Sequence, residues 1–210
     1  MFPALYAILD PALSPFPIAD LAERLAGAGV RLIQLRDKRA SARTIYLDSR
    51  QLIGRLAPLG VRVIVNDRPD IAAIVRAGGV HVGQDDLPVE AARRICGPSC
   101  WVGVSTHNLE QLRAADFTSA DYIALGPVFP TSTKENPDPV VGLDFLRRAR
   151  QKTRKTLVAI GGITVESAGE VFRAGADSVA VIGDLVTAPD PEARAAEYLA
   201  IAERSRSGRY

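Results

Sequence analysis

Three long polar side chains stand at alternate positions near the end of an apolar segment. They are Gln34, Arg36 and Lys38 in the stretch IQLRDK. Because side chains repeat every two residues along an extended chain, all three should point the same way, with Leu35 and Asp37 between them. Two cations on one face favour an anion, and a flexible Lys beside a planar Arg suits a polyphosphate. The alternative is that these side chains solvate a strand end or pair with Asp37.

Two carboxylates follow other apolar segments, Asp67 in VNDRPD and Asp86 in GQDDLP. Magnesium takes oxygen ligands and commonly uses one or two carboxylates together with waters and substrate phosphates. A site for Mg²⁺ and a diphosphate would satisfy both signs of charge. Asp85 competes with Asp86 as a ligand, and spacing alone does not choose between them. The alternative is that the carboxylates cap helices, since a proline follows each within a few residues.

A second anion site is indicated by small residues elsewhere in the chain. The stretch PTSTK offers hydroxyls and an ammonium, and Gly161, Gly162 and Gly183 allow backbone N–H groups to approach an anion closely. We interpret this as a monophosphate site separate from the diphosphate. A turn role for each glycine is the competing interpretation. His81, inside an apolar run, and His107 are interpreted as structural, hydrogen-bonded residues.

Composition limits the class of protein. The chain has 210 residues, 47% of them hydrophobic, and a net charge of +2 with both signs interspersed, which predicts one domain and argues against nucleic-acid binding. We find no basic leader and no apolar stretch near the roughly 20 residues that span a bilayer, so we expect a cytoplasmic protein without a membrane partner. Cys96 and Cys100 are expected to be structural thiols, because a zinc site needs about four ligands. The oligomeric state stays open, a homo-oligomer included.

The elements that must position these residues are short apolar runs alternating with helical patterns. Eight runs are present, at 5–9, 30–35, 61–65, 79–83, 101–105, 121–126, 156–162 and 178–183. The segments between them, such as 18–28 and 165–174, carry apolar residues at helical spacing and end in glycine turns. Repeated βα units of this number predict a single-domain (β/α)₈ TIM barrel over 1–210, with a flexible tail from 203 to 210.

The barrel makes a test of the polar residues, because barrel sites form where strands enter the following loops. Every polar cluster described above follows one of the eight runs, as do Asn66 after the third and Ser105 at the end of the fifth. The loops after the seventh and eighth strands, which carry the glycines, are the usual phosphate site of this fold. We therefore expect all of these residues at one end of the barrel.

The motifs QLRDK, VNDRPDIA, GVHVGQDDLP, VGVSTHN, ALGPVFPTSTK and AIGGI, in this order, resemble the thiamine phosphate synthase family. The resemblance runs from about residue 6 to about residue 199. It implies a (β/α)₈ barrel that joins hydroxymethylpyrimidine diphosphate to a thiazole phosphate. Pyrophosphate is released with the help of Mg²⁺, in a dissociative substitution.

The resemblance also implies roles for particular residues. Gln34 is similar to the family's pyrimidine contact, and Leu35 and Asp37 belong to the same substrate-binding segment. Asp67 and Asp86, rather than Asp85, match the magnesium ligands. The diphosphate ligands would be Arg36, Lys38, Asn66, Ser105 and Lys134, with Arg36, Lys38 and Lys134 acting on the leaving group.

For the thiazole phosphate, the resemblance implies a loop of Thr131, Ser132 and Thr133 and a phosphate cradle of Gly162, Ile182 and Gly183. Many family members have Ser at the position of Gly183, so this chain lacks that hydroxyl but keeps the backbone N–H.

Two rival functions stay open at this point. A paralogous barrel that aromatises the thiazole should lack the complete Gln-x-Arg-x-Lys set and carry a histidine at the position of Pro127. A non-catalytic sensor of thiamine precursors would share the binding residues.

Overall fold

The computed structural model describes residues 1–131, 133 and 138–207. Among these residues, eight parallel strands close into a barrel in chain order, with β1 beside β8. The strands are β1 Leu5–Leu9, β2 Leu32–Leu35, β3 Arg62–Asn66, β4 Gly79–Val82, β5 Trp101–Thr106, β6 Tyr122–Leu125, β7 Thr156–Ile160 and β8 Ser178–Val181. The predicted (β/α)₈ barrel is confirmed.

Helices connect the strands and cover the outside of the barrel. They are α1 Ile18–Gly27, α2 Ala42–Leu56, α3 Pro69–Ile74, α4 Val89–Cys96, α5 Leu109–Asp116, α6 Gly142–Arg150, α7 Val165–Arg173, α8 Gly183–Val186 and α9 Pro191–Ser207, with a 3₁₀ turn at Ala57–Leu59. Some starts are capped by side chains: Ser41 accepts from the Thr44 backbone N–H at 3.1 Å, and Asn108 accepts from that of Gln111 at 2.9 Å. None of the described helices has both the length and the apolar character that crossing a membrane requires.

The core has two layers, which explains why the strands read as unbroken apolar runs. One layer lies between the sheet and the helices and includes Leu21, Leu25 and Ile33. The other fills the barrel interior and is made by Tyr6, Ile8, Leu32, Ile64, Tyr122, Ala124, Val158 and Ala180. Strands buried on both faces need apolar side chains at every position rather than at alternate ones.

The two ends of the barrel differ in character. At the end where the strands begin, Phe2 stacks on Trp101 with ring centroids 5.1 Å apart, and the Arg62 guanidinium lies 3.8 Å from the Trp101 ring centroid. This floor is closed by aromatic and cationic packing. The polar clusters lie at the opposite end.

Helix α9 continues past residue 203, where the sequence suggested a flexible tail. Helix α9 runs to Ser207, and Arg206 donates to the backbone oxygens of Phe2 and Asp177 at 3.3 Å each. These contacts tie the last turn to the barrel floor, so residues 203–207 belong to this helix. Residues 208–210 lie outside the described residues.

Candidate active site

A cleft with a volume of about 680 Å³ opens at the carboxyl ends of the strands. Its wall includes most of the candidate site residues that the sequence singled out: Gln34, Arg36, Lys38, Asn66, Asp67, Asp86, Ser105, Thr131, Thr133, Gly162, Ile182 and Gly183. These residues come from strand ends far apart in the chain. The barrel topology brings them together, as expected.

The alternation of polar residues in IQLRDK places Gln34, Arg36 and Lys38 on the cleft wall together. Gln34 is 2% exposed at the bottom of the cleft. The Arg36 guanidinium donates to the Asp10 carboxylate at 2.7 Å, and Lys38 forms an ion pair with Asp67. Asp10 holds the Arg36 side chain in place, a role that the sequence did not reveal.

The two residues between them do not line the cleft. Leu35 is buried in the layer between the sheet and the helices. The Asp37 carboxylate accepts from the backbone N–H groups of Arg39 and Ala40 at 2.9 and 3.0 Å and so forms a turn. Alternation therefore turns the side chains of Leu35 and Asp37 away from the cleft, and their contact with substrate stays a prediction. Asp37 also does not neutralise the two cations, which pair elsewhere.

Asp67 and Asp86 face each other across the ends of β3 and β4. The Asp86 carboxylate accepts from the Gly83 backbone N–H at 2.7 Å. Burial, followed by the hydrogen bond with Asp67, raises the pKa of Asp86, and the negative charge of Asp67 acts in the same direction. Asp67 itself has φ of 61°, an uncommon conformation for a residue with a side chain and one that is often found at functional sites.

Neither carboxylate caps a helix, so that alternative is wrong. Arg68 precedes α3 and Pro88 precedes α4, and no side chain caps either helix start. Asp85 also borders the cleft but is exposed. Within the described part of the chain, no group of three or more His, Cys, Asp or Glu side chains is placed to hold a metal ion. Asp67 and Asp86 therefore stand as a pair.

At the bottom of the cleft, a buried chain of hydrogen bonds joins Gln34 to Ser105, and Tyr6 and His81 within this chain also line the cleft. Gln34 donates to the Tyr6 hydroxyl at 2.6 Å, which lies 2.9 Å from the Tyr122 hydroxyl. His81 Nδ1 lies 3.0 Å from Tyr122, and its Nε2 lies 2.9 Å from Ser105 Oγ. Burial lowers the pKa of His81 to about 4 and raises the pKa values of both tyrosines. The prediction that His81 is a hydrogen-bonded core residue is confirmed.

His107 stands just before α5, where the sequence placed it. Its Nδ1 lies 2.6 Å from the Gly126 carbonyl oxygen, and its Nε2 lies 3.5 Å from the Asp138 carboxylate. The backbone N–H of His107 donates to Gln111 at 2.7 Å. These contacts fit the structural role that we expected, although the ring also borders the cleft.

Across the cleft from the charged residues, the wall is made of backbone and small side chains. Gly161 and Gly162 have φ of 96° and 63°, and a Cβ atom would overlap Pro127 at Gly161 and Phe129 and Pro130 at Gly162. Both glycines are thus required by conformation and by space. Gly183 has no such strain, and a Cβ there would make an ordinary contact at 3.4 Å with Thr133 Cγ2.

The loop after β6 is described in part. The Thr131 and Thr133 hydroxyls lie 3.0 Å apart, and both residues border the cleft near Gly183. Ser132 and Lys134 lie outside the described residues.

The two cysteines lie away from the cleft. Both have free thiols, and Cys96 Sγ donates to the Pro69 carbonyl oxygen at 3.3 Å. Burial, as the main cause, raises the pKa of Cys100 to about 12. A thiol held in its protonated form is a poor nucleophile and a poor metal ligand.

The chain is similar in sequence to known proteins over nearly its whole length. The sequence profile of the family described as thiamine monophosphate synthase matches residues 5–185. The chain is 52% identical over 204 residues to the thiamine-phosphate synthase of Koribacter versatilis, with 95% of each chain covered. It is 41% identical over 207 residues to that of Methanocella arvoryzae, with 98% of each covered.

Among solved structures, the thiamine phosphate pyrophosphorylase of Pyrococcus furiosus superposes with a TM-score of 0.87 at 34% identity, with 96% of each chain covered. The similarity therefore extends to the path of the backbone as well as to the sequence.

Proposed function

This chain belongs to the thiamine monophosphate synthase family. We propose that its two substrates bind to different parts of the cleft rim, which we call the first arc and the second arc. The chain is an enzyme of thiamine biosynthesis, a transferase with the activity of a thiamine-phosphate synthase. In our proposal, hydroxymethylpyrimidine diphosphate lies against the ends of β2 to β5. Thiazole phosphate lies against the ends of β6 to β8.

One observation carries the proposal for the first arc. An amide, two cations and two carboxylates share one wall of one cleft, namely Gln34, Arg36, Lys38, Asp67 and Asp86. The Gln34 amide offers a donor and an acceptor to the edge of an aminopyrimidine ring. Arg36 and Lys38, with Asn66 and Ser105 beside them, bind the diphosphate. Lys134 completes this set by resemblance alone.

Asp67 and Asp86 fit a magnesium ion by their chemistry. The two carboxylates lie close together, and burial and Asp67 raise the pKa of Asp86. A divalent cation between them would offset the repulsion of their negative charges. When bound, Mg²⁺ supplies positive charge to the diphosphate oxygens. Lys38 is already paired with Asp67, so this ammonium stands at the junction between the carboxylates and the expected diphosphate.

On the second arc, backbone N–H groups of Gly162, Ile182 and Gly183 bind the thiazole phosphate. The support is the left-handed conformation of Gly162 and the absence of a side chain at Gly183, which leave the backbone accessible from the cleft. Thr131 and Thr133 add hydroxyl groups from the loop after β6, with Ser132 between them by resemblance.

The chemistry then follows from where charge develops. The bond from the pyrimidine methylene carbon to the diphosphate oxygen breaks, and its electron pair leaves with the pyrophosphate. The electron-rich aminopyrimidine stabilises the resulting benzyl-like cation, and the lone pair of the thiazole nitrogen forms the new C–N bond. Arg36 and Lys38 stabilise the departing anion, and fixed charges of this kind contribute several kcal/mol in such sites.

No general base is needed, because the attacking aromatic nitrogen carries no proton. His81 agrees with this, since burial lowers its pKa to about 4 and both ring nitrogens face protein partners. The cleft holds the two rings close together, which is its remaining contribution. The reaction is placed in the cytoplasm in this proposal, which the two free cysteines support.

Purified protein tests the proposal directly. With both substrates and Mg²⁺, it should form thiamine phosphate and pyrophosphate in equal amounts, and chelation of Mg²⁺ should stop the reaction. The rival thiazole tautomerase would convert its substrate without consuming any diphosphate. Pro127 already stands where that enzyme should have a histidine.

A further inference from the structure

The hydrogen-bond chain at the bottom of the cleft connects two side chains that our proposed function assigns to the pyrimidine diphosphate. Gln34 and Ser105 are its ends, and Tyr6, Tyr122 and His81 are its interior members. The interior members come from β1, β6 and β4, so the chain crosses the inside of the barrel. Sequence alone does not reveal this hydrogen-bond chain, because a tyrosine within an apolar run is normally a core residue.

All the protons in the hydrogen-bond chain must point in one direction once the donor at one end is known. The Gln34 amide donates to the Tyr6 hydroxyl, so Tyr6 must give its own proton to Tyr122. Tyr122, which now accepts from Tyr6, gives its proton to His81 Nδ1. A neutral imidazole has one N–H, so His81 carries its proton on Nε2 and donates it to Ser105 Oγ.

Burial makes this ordering strict. Tyr6 is 1% exposed, Tyr122 is 0% exposed and His81 is 8% exposed, so water cannot replace a missing partner for the tyrosines. A reversed bond anywhere in the chain would set two donors or two acceptors against each other, which is costly in a buried site. One flip therefore requires all the others.

Gly103 makes room for the Tyr122 side chain in the hydrogen-bond chain. This glycine lies in β5 without a left-handed φ, so conformation does not require it. A Cβ atom at Gly103 would overlap the ring and the hydroxyl of Tyr122. The missing side chain creates the space in which the Tyr122 hydroxyl reaches both Tyr6 and His81.

We propose that Tyr6, Tyr122 and His81 are positioning residues that set the orientation of the Gln34 amide and the direction of the Ser105 hydroxyl together. In the observed order, Gln34 keeps its carbonyl oxygen and its second N–H for the substrate. That pair complements the amino group and ring nitrogen of an aminopyrimidine. Ser105, which accepts from His81, keeps its own O–H for an anionic oxygen. The two ends of the diphosphate substrate are thus recognised by one ordered unit.

The proton order can be read without any substrate. Ring ¹⁵N shifts of the free protein, measured at about pH 8 where a free imidazole is neutral, distinguish a protonated nitrogen from a bare one. The chain has two histidines, so a His107→Asn variant assigns the signals. We expect His81 to carry its proton on Nε2. In Gln34→Leu, which removes the amide donor at the far end, the Nδ1–H form should gain population.

Kinetics test the effect on catalysis. Tyr122→Phe keeps the ring and removes the central hydroxyl, so kcat/KM should fall roughly tenfold, with the KM for the pyrimidine diphosphate changing more than that for the thiazole phosphate. The double variant Tyr6→Phe/Tyr122→Phe should lose no more than the worse single variant, since the residues act as a unit. Tyr46→Phe, on α2 and away from the cleft, is the matched control and should change kcat/KM by less than about twofold.

Two results would overturn the inference. One is a His81 proton on Nδ1 in the free wild-type protein. The other is a His81 tautomer that does not respond to Gln34→Leu, with Tyr122→Phe as active as Tyr46→Phe. If Tyr122→Phe did not fold, the Gln34→Leu spectrum and Tyr6→Phe kinetics would decide alone. An inactive wild-type protein would contradict the proposed function, whereas the ¹⁵N spectrum would still report on the hydrogen-bond order.

Discussion

The two arcs of the cleft offer an anion different chemistry. At the ends of β2 to β4, charged side chains face the cleft, with Arg36 held by Asp10 and Lys38 by Asp67. At the ends of β7 and β8, Gly161, Gly162 and Gly183 expose backbone. The first arc offers charged side chains, and the second offers accessible backbone N–H groups with no side chains in front of them. A diphosphate with a leaving charge needs the first, whereas a monophosphate that is only held in place is served by the second.

This difference predicts which substitutions each arc tolerates. On the first arc, activity should depend on side-chain charge and little on side-chain volume. On the second arc, activity should depend on side-chain volume, because an overlapping or bulky side chain blocks the backbone groups. The predictions below test that contrast.

The largest effect is expected from the carboxylate pair. Asp86→Asn should reduce kcat/KM by more than roughly 100-fold, because it removes a proposed Mg²⁺ ligand at almost constant volume. Asp85→Asn is the matched control and should lose less than about threefold, because Asp85 is exposed and Asp86 is the residue that meets Asp67. Steady-state assays on folded variants measure both. Equal losses of kcat/KM in the two variants would contradict the assignment of Asp86, rather than Asp85, as the Mg²⁺ ligand.

The next effect separates two roles within the charged arc. Lys38→Ala should lower kcat by roughly 30-fold, because a cation on the leaving oxygens acts more strongly as charge builds up. Gln34→Ala should raise the KM for the pyrimidine diphosphate by roughly tenfold, because its contact exists before the bond breaks. If Lys38→Ala changed only that KM, its role on the leaving group would be wrong.

On the backbone arc, Gly162→Ala should raise the KM for the thiazole phosphate by about tenfold while leaving that for the pyrimidine diphosphate unchanged. The added Cβ would overlap Phe129 and Pro130 and distort the cradle. Gly60→Ala is the control, because Gly60 has a similar φ of 69° but nothing within 4 Å of the added atom. The left-handed backbone should cost each variant about 1 kcal/mol of stability, and the overlap should cost Gly162→Ala more. A KM for the thiazole phosphate in Gly162→Ala equal to that in Gly60→Ala would exclude Gly162 from the phosphate cradle.

A smaller effect is expected at Gly183. Its φ is not left-handed, so substitution causes no backbone strain, and only side-chain volume matters. Gly183→Ser should keep the affinity for the thiazole phosphate or improve it slightly by adding a hydroxyl donor. Gly183→Val should raise that KM about threefold, because its methyl groups crowd Thr133 and the phosphate. An unchanged constant in Gly183→Val would exclude Gly183 from the site.

The smallest effect is on stability. Burial and Asp67 raise the pKa of Asp86 above its ordinary value of 3.8. Between the ordinary pKa of 3.8 and the higher pKa in the folded state, the folded state binds more protons than the unfolded state. Asp86 therefore lowers the stability of the fold as the pH rises through this range. Metal-free Asp86→Asn should therefore melt roughly 2 °C higher than wild type at neutral pH. Calorimetry should show the gain shrinking as the pH falls toward 3.8, and a lower melting temperature at neutral pH would contradict the account.

Much of this structure could be predicted from the sequence, for a physical reason. Barrel strands are buried on both faces, so they appear as apolar runs; the run at 30–35, for example, contains β2 at Leu32–Leu35. Side chains such as Lys38 and Asp67 stood out because they end such runs and are long or charged. Tertiary structure then confirmed that they meet in one cleft.

Other parts of the site depend on contacts between distant residues. Asp10 looked like a residue at a strand end, and its bond to Arg36 appears only when β1 and β2 are paired. Tyr6 and Tyr122 are 116 positions apart, and nothing local shows that their hydroxyls touch. The polar stretch at the C-terminus suggested a loose tail, whereas the contacts of Arg206 with the barrel floor extend helix α9. Local patterns do not contain such pairings.

The central claim is that two different arcs hold the two phosphorylated groups, and a crystal structure of the protein with thiamine phosphate, pyrophosphate and Mg²⁺ tests it most directly. Our account predicts the pyrophosphate against Arg36 and Lys38, with the phosphate of thiamine phosphate against the backbone of Gly162 and Gly183. Both groups on one arc, or the two in exchanged places, would contradict it.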